Sequence, residues 1–262
     1  MLLERFRKAK MAEVAELKAK GVPKAYKGVR PDFLKALQGP GLSFIAEYKR
    51  ASPSKGRIRD DLTVADVALA YAAHGAAAMS ILTEAKYFDG DIGYLFDAHK
   101  TLLAKGYALP LLRKDFLFDP VQIEATAGTP ASALLLIVKL VEDDALLQRL
   151  YERTRELGIV AVVEVTDDKD LARARDLHAR CIQVNARDLE TLTVNREKAL
   201  ALAHAHPPRA HETWIFASGI EEAKDCAQLT QAGFAACLVG TALMQGNPGD
   251  NLARLVGGCR DY

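Results

Sequence analysis

The sequence has no excess of charge of either sign. Its 35 Lys and Arg residues nearly balance 34 Asp and Glu residues, which leaves a formal net charge of +1. Nucleic acids and anionic membranes are bound through large fields of positive charge, so we expect neither as a partner. A hydrophobic fraction of 50% and a charged fraction of 26% are typical of a folded globular protein and exclude a disordered chain.

Long hydrophobic runs are also missing. Unbroken apolar runs such as Ala133 to Val138 are far shorter than the ~20 residues of a helix that spans a bilayer. Glu4 and Arg5 place charges too early for the apolar region of a secretory leader. We therefore expect a cytoplasmic protein with no membrane partner.

Cysteine is scarce and scattered. Cys181, Cys226, Cys237 and Cys259 form no CxxC pair and have no histidine nearby at metal-ligand spacing. The pattern predicts reduced thiols, without a metal site or a disulfide framework. The histidines fall in segments with helix or loop character, so a catalytic histidine is not expected either.

Short apolar runs alternate with longer amphipathic stretches along the chain. The absence of a GxGxxG motif after the first run argues against a dinucleotide-binding fold. Runs that are apolar throughout predict a parallel sheet covered on both faces. Eight of them, spaced by the length of a strand and a crossover helix, predict one (β/α)8 barrel domain over residues 1–262. The runs begin at Ser43, Ala77, Ala108, Ser132, Ile159, Cys181, Trp214 and Ala235.

Residues 1–40 precede the first apolar run and are predicted to form a helical extension. Apolar side chains recur there at approximately helical spacing. Such an extension could close the bottom of the barrel or cover its active-site end, and the sequence leaves both possibilities open. The apolar positions are Leu3, Phe6, Met11, Val14 and Leu17.

Polar and ionisable residues occur where several of the predicted strands end. Active sites of (β/α)8 barrels lie at the C-terminal ends of the strands. A charged side chain buried there without a partner would destabilise the fold by several kcal/mol, so we expect the charges to be paired. Lysines and glutamates that meet at one mouth can act as acids and bases on one substrate. The residues are Glu47 and Lys49 at the end of the first predicted strand, Lys114 at the end of the third, Glu164 in the fifth, and Asn185 and Arg187 at the end of the sixth.

Small residues follow the last two predicted strands. Ser218 and Gly219 come after the seventh run, and Gly240 and Thr241 come after the eighth. Small residues let backbone N–H groups approach an anion, and a helix N-terminus adds partial positive charge. This is the usual phosphate site of (β/α)8 enzymes, so the sequence predicts a phosphorylated ligand.

Several of these segments resemble the indole-3-glycerol phosphate synthase family. The two most specific are IAEYKRASPSKG at residues 45–56 and LRKDF at residues 112–116. Further matches lie at residues 80–88, 135–139, 185–192, 218–220 and 238–244, in order across most of the chain. The resemblance implies ring closure of 1-(2-carboxyphenylamino)-1-deoxyribulose 5-phosphate with loss of carbon dioxide and water. It also implies that no metal or organic cofactor is used.

The resemblance further implies a role for each matched residue. Lys114 corresponds to the general acid, and Glu164 to its partner, a base or electrostatic stabiliser. Lys49 corresponds to a carboxylate anchor or second acid, with Glu47 orienting it. The substrate-binding positions are Asn185 and Arg187 for hydroxyl and carboxylate groups, and Ser52, Gly219, Gly240 and Thr241 for phosphate, with Ser218 beside them.

The chain departs from the family pattern at a few positions. Ala217 stands where the family usually has a glutamate, and Gln183 stands where it commonly has glycine. Ala217 motivates an alternative, a non-catalytic or weakly active barrel that binds sugar phosphates. The resemblance places the family in the tryptophan pathway, and the neighbouring isomerase of that pathway is a second alternative. It is disfavoured, because its acid–base pair relies on Cys and Asp whereas the strand ends here carry Lys and Glu. The oligomeric state stays open, and a monomer is compatible with the sequence.

Overall fold

Eight parallel strands close into a barrel in the computed structural model, which describes residues 2–259. Residue 1 and residues 260–262 of the expected domain lie outside the described residues. Each strand pairs with the next in chain order, and the last pairs with the first. The predicted (β/α)8 barrel is confirmed. Its strands are β1 Ser43–Tyr48, β2 Ala78–Leu82, β3 Leu111–Lys114, β4 Ala133–Ile137, β5 Val160–Val165, β6 Cys181–Asn185, β7 Thr213–Ala217 and β8 Ala236–Val239.

Helices connect the strands and surround the barrel. In the helix Val64–Ala73, the buried face is the one that the spacing predicts, formed by Val64, Val67, Ala68 and Tyr71. No helix within residues 2–259 is long and apolar enough to cross a membrane. The helices are α1 Leu2–Lys20, α2 Phe33–Ala36, α3 Val64–Ala73, α4 Ala85–Phe88, α5 Gly93–Ala104, α6 Pro120–Ala127, α7 Asp144–Glu156, α8 Asp168–Asp176, α9 Arg196–Ala205, α10 Asp225–Gln231, α11 Thr241–Met244 and α12 Pro248–Cys259, with a 3-10 turn at Val138–Leu140.

The third strand starts three residues later than its apolar run. Pro110 has no N–H group to donate to a neighbouring strand, although its carbonyl accepts a hydrogen bond from the N–H of Met79 at 2.9 Å. Regular pairing therefore begins at Leu111, which lies opposite Met79. The strand then extends through Lys114, so this side chain emerges at the C-terminal edge of the barrel.

The N-terminal helix α1 packs over the C-terminal end of β3. The ring of Phe6 stacks on that of Phe116 with 4.3 Å between centroids. Lys10 forms an ion pair with Asp115, the residue that follows β3. Of the two positions left open by the sequence, helix α1 thus occupies the active-site end of the barrel.

Two cysteines are closer together than the sequence predicted. Cys226 of α10 and Cys259 of α12 are joined as a disulfide, with their Cα atoms 5.6 Å apart. The expectation of four reduced thiols is wrong for this pair, because the two helices pack together in the fold although the cysteines are distant in sequence. Cys181 and Cys237 are free and buried.

Candidate active site

A cavity of about 1070 Å³ opens at the C-terminal ends of the barrel strands. The loops after β1, β3, β6, β7 and β8 all contribute to its wall. Every residue singled out from the sequence as a site residue lines this cavity. They are Glu47, Lys49, Ser52, Lys114, Glu164, Asn185, Arg187, Ser218, Gly219, Gly240 and Thr241.

Glu47 lies between the two lysines. Its Oε1 is 2.9 Å from Nζ of Lys49, and its Oε2 is 3.7 Å from Nζ of Lys114. Only 3% of Glu47 is exposed. Burial acts to raise the pKa of Glu47, but the charges of Lys49 and Lys114 outweigh it and hold the pKa below its ordinary value. Glu47 is therefore ionised at neutral pH and forms an ion pair with each of the two lysines.

Glu164 lies on β5 inside the barrel and has a different environment. Its Oε2 accepts a hydrogen bond from Nε2 of Gln183 at 2.5 Å. Burial raises the pKa of Glu164 above its ordinary value, although Lys114, Asn185 and Gln183 act in the opposite direction. Two buried glutamates in one cavity thus have pKa values that are shifted in opposite directions, which suits different roles in proton transfer.

Asn185 organises the polar wall at the end of β6. Its Oδ1 accepts hydrogen bonds from Oγ of Ser218 at 2.9 Å and from the backbone N–H of Arg187 at 3.0 Å. The guanidinium of Arg187 donates to the carbonyl of Leu192 at 2.7 Å, which holds the side chain beside the cavity. Asn185 also lies near Glu164 and acts to lower the pKa of that carboxyl.

The loop after β7 begins with two residues in an uncommon backbone conformation. Ser218 and Gly219 have φ values of 74° and 76°, in the left-handed region that favours glycine. In the loop after β1, the hydroxyl of Ser52 accepts a hydrogen bond from the N–H of Lys55 at 3.2 Å. Residues of both loops line the cavity.

Gly240 has a second reason to be glycine. A Cβ atom at this position would lie 2.4 Å from Oε1 of Glu47, a distance that real structures do not tolerate. The backbone before α11 and the carboxylate of Glu47 therefore pack directly against each other. The sequence identified Gly240 only as part of a phosphate site.

An aromatic wall at the opposite end of the cavity was not predicted. Phe6 of α1, Phe88 of α4 and Phe116 after β3 all line the cavity, with ring centroids 4.3 to 6.2 Å apart. Phe6 is part of the helical pattern of the extension, and its neighbours in space are far away in sequence. Only the packing of α1 on the barrel brings the three rings together.

Fold and cavity together define the class. The chain is a (β/α)8 barrel of the enzyme type, in which charged side chains gather at the end where such barrels carry their active sites.

Comparisons with known proteins identify the family within this class. The family model for indole-3-glycerol phosphate synthase matches residues 3–255. An indole-3-glycerol phosphate synthase from Albidiferax ferrireducens is 40% identical over 229 residues, which cover 86% of this chain and 84% of the relative. One from Mycolicibacterium gilvum is 38% identical over 248 residues, or 94% of this chain and 87% of the relative. The chain belongs to the indole-3-glycerol phosphate synthase family.

Solved structures show a wider similarity of fold. The crystal structure of 3-hexulose-6-phosphate synthase from Salmonella typhimurium matches with a TM-score of 0.60, over 84% of this chain and 99% of that chain. The sequence identity is 15%, so this similarity concerns the barrel architecture alone.

Proposed function

We propose that this chain closes the indole ring of 1-(2-carboxyphenylamino)-1-deoxyribulose 5-phosphate, with release of carbon dioxide and water, as its family membership implies. The arrangement of Glu47 between Lys49 and Lys114, with Glu164 in the same cavity, carries this proposal. Ring closure needs a cation to bind the carboxylate, an acid for the ketone and a base for a later proton. The cavity offers a group for each task.

The two ends of the cavity match the two ends of this substrate. The aromatic wall of Phe6, Phe88 and Phe116 suits the carboxyphenyl ring, since aromatic pairs favour centroid separations of about 4.5–7 Å. The loop at Ser218 and Gly219 suits the phosphate. A substrate held at both ends is kept in a conformation close to reaction, which contributes a large part of the rate.

In the first step, the ring carbon that bears the carboxylate attacks the sugar ketone. A carbon–carbon bond forms, and the carbonyl oxygen takes a proton from Lys114, the general acid of the proposal. Lys49 binds the substrate carboxylate, and Glu47 keeps the two ammonium groups in place. Asn185 and Arg187 bind the remaining hydroxyl and carboxylate oxygens.

In the second step, the carboxylate leaves as carbon dioxide, and its bonding electrons restore the aromatic ring. The new hydroxyl then departs as water with a second proton from a lysine, while a hydrogen on the adjacent carbon is lost as a proton. Glu164 accepts that proton in this scheme. A carboxylate whose pKa is raised by burial is a stronger base than an exposed one.

The direct test is the appearance of fluorescent indole product from the carboxyphenylamino sugar phosphate. We expect product with the natural chain and at least a hundredfold lower kcat with Lys114→Met, since general acids contribute about 10²–10⁴-fold. Substrate binding without any product would instead support the alternative, a non-catalytic sugar-phosphate-binding barrel. The single domain over residues 1–262, a monomeric state and a cytoplasmic location stay predictions.

A further inference from the structure

Gln183 is a buried polar side chain inside the barrel that the proposed chemistry does not use. It lies on β6 two residues before Asn185, so both side chains face the barrel interior. Asn185 lines the cavity, whereas Gln183 lies one layer deeper and is 0% exposed. A side-chain amide without access to water is costly unless its polar atoms are hydrogen-bonded.

The two polar atoms of the Gln183 amide have different surroundings. Nε2 donates to Oε2 of Glu164 at 2.5 Å. Oε1 is buried and has no hydrogen-bond partner within the described part of the chain. The amide oxygen thus lacks a hydrogen bond, whereas the amide nitrogen keeps its hydrogen bond to Glu164. Close packing of the barrel interior does not by itself require this arrangement.

Glu164 is surrounded by few groups that can stabilise its charge. Lys114 from β3 is the cation that faces it, and Gln183 from β6 donates a hydrogen bond. Asn185 from β6 also acts to lower the pKa of Glu164, while Asp170 from α8 adds an opposing negative charge. Burial dominates this balance and disfavours the ionised carboxylate. The hydrogen bond from Gln183 at 2.5 Å acts with Lys114 and Asn185 to support the ionised form.

We propose that Gln183 is a positioning residue that acts through Glu164, by holding its carboxylate toward the cavity and stabilising its ionised form. The inference rests on the proposed role of Glu164 as the base. The unpartnered Oε1 has a use in this arrangement. When Glu164 carries a proton, rotation of the amide brings Oε1 to accept the carboxyl O–H, so one side chain serves both protonation states.

The main test is Gln183→Met, which keeps the length of the side chain and removes both polar atoms. Without the donor, Glu164 binds its proton more tightly, and the acidic limb of the kcat/KM profile should move to higher pH by about one unit. At neutral pH, kcat should fall while KM changes little, because Gln183 lies below the ligand cavity.

Ser132→Ala is the matched control. Ser132 also has a buried side-chain oxygen that lacks a partner among residues 2–259, but it precedes β4 at the opposite end of the barrel. Its removal should leave the acidic limb in place. An equal shift of the acidic limb in both variants would show that any substitution in the barrel interior moves it, and this would overturn the inference.

A second measurement does not depend on turnover. The infrared carboxyl band that is present in the natural chain and missing from Glu164→Gln reports the titration of Glu164. Its midpoint should rise in Gln183→Met, and an unchanged midpoint would refute the inference even in a fully active enzyme. If the natural chain made no product, the proposed function would fail while this titration still decided the role of Gln183.

Two further variants complete the test. In the Glu164→Gln background, adding Gln183→Met should change the residual pH profile no further, because the group through which Gln183 acts is gone. If Gln183→Met does not fold, Gln183→Asn retains an amide that is one methylene too short to reach Glu164. It should shift the infrared midpoint in the same direction, and a midpoint equal to that of the natural chain would contradict the proposal.

Discussion

Lys10 of helix α1 and Asp115, the residue after Lys114, form a buried ion pair with 2.9 Å between Nζ and Oδ2. Asp115 also accepts hydrogen bonds from Arg113 at 2.9 Å and from Thr83 at 2.6 Å. The N-terminal helix is thus connected through one carboxylate to the strand that carries the proposed general acid. This connection places α1 within the active-site structure.

The buried ion pair between Lys10 and Asp115 should contribute to the stability of the fold. Asp115→Asn leaves the buried Lys10 and Arg113 with the partly exposed Glu13 as their remaining shared carboxylate. Loss of the buried counter-ion should lower the free energy of unfolding by about 3 kcal/mol. Lys10→Met should cost less, because Asp115 keeps Arg113 as a partner. Denaturant unfolding measures both.

Lys18→Met provides the control for this pair. Lys18 is on the same helix and pairs with Asp119 at 2.5 Å, but its side chain is 58% exposed. Exposed pairs contribute about 0–1 kcal/mol. Equal losses for Lys10→Met and Lys18→Met would show that the burial of the Lys10 pair has no energetic consequence.

Binding and chemistry should separate by mutation. Lys114→Met removes the proposed acid and should lower kcat, whereas Ser52→Ala removes a proposed phosphate ligand and should raise KM by about tenfold or more. Steady-state kinetics measures kcat and KM for both variants. Lys105→Met, which changes an exposed residue, is the control. An unchanged kcat in Lys114→Met would refute the acid assignment.

Gly240 should affect more than phosphate binding. The Cβ of Gly240→Ala would displace the carboxylate of Glu47, so kcat should fall together with a rise in KM. Gly257→Ala in α12 is the control, because its Cβ meets no atom within 4 Å. A change confined to KM would show that Glu47 adjusts without cost to the chemistry.

Ala217→Glu tests the departure from the family pattern. Ala217 is buried on β7 and lines the cavity beside Ser218 and Gly219. A new carboxylate there should repel the substrate phosphate and raise KM by about tenfold. The uncharged Ala217→Gln, which has a similar volume, should raise KM less. A faster enzyme with unchanged KM would show that the natural site lacks a useful carboxylate.

Glu164 should reduce stability at neutral pH. Because its pKa is raised in the folded state, its contribution to stability is greatest below the unfolded pKa and is lost as the pH rises through the folded pKa. Glu164→Gln removes this penalty, so the variant should have a higher Tm than the natural chain at pH 7. The difference should disappear near pH 3, where the carboxyl is protonated in both states.

Glu47 should affect stability in the opposite direction to Glu164 and serves as the comparison. Its pKa is lowered in the folded state, so its stabilising contribution is present above the unfolded pKa and is lost as the pH falls. Glu47→Gln should therefore lower the Tm at pH 7. Thermal melts of both variants from pH 3 to pH 8 test the pair, and shifts of the same sign at pH 7 would contradict the two assignments.

Local patterns in the sequence predict most of the barrel. Apolar runs and strand-end charges depend on neighbours along the chain, so β1 begins and ends where its run does, and Glu47 and Lys49 follow from it. The start of β3 depends instead on Pro110, which has no N–H group to donate, so regular pairing begins at Leu111.

Other features depend on contacts between distant segments and could not be predicted. The Cys226–Cys259 pair, the aromatic wall and the contact of Gly240 with Glu47 all join residues that lie in different crossover units. In the sequence alone, Gln183 stands out only as a departure from the family pattern. Its hydrogen bond to Glu164 becomes visible once β5 and β6 are paired in register.

The seam between β1 and β8 has a consequence for how the protein folds. Ser43 pairs with Ala236, so the barrel closes only after almost the whole chain has been made, and such long-range contacts form slowly. Glu47 stands on one side of this seam and Gly240 on the other. A chain in which seven strands have folded but β8 has not yet paired with β1 therefore has no complete site. During refolding, the onset of activity reports when the barrel closes.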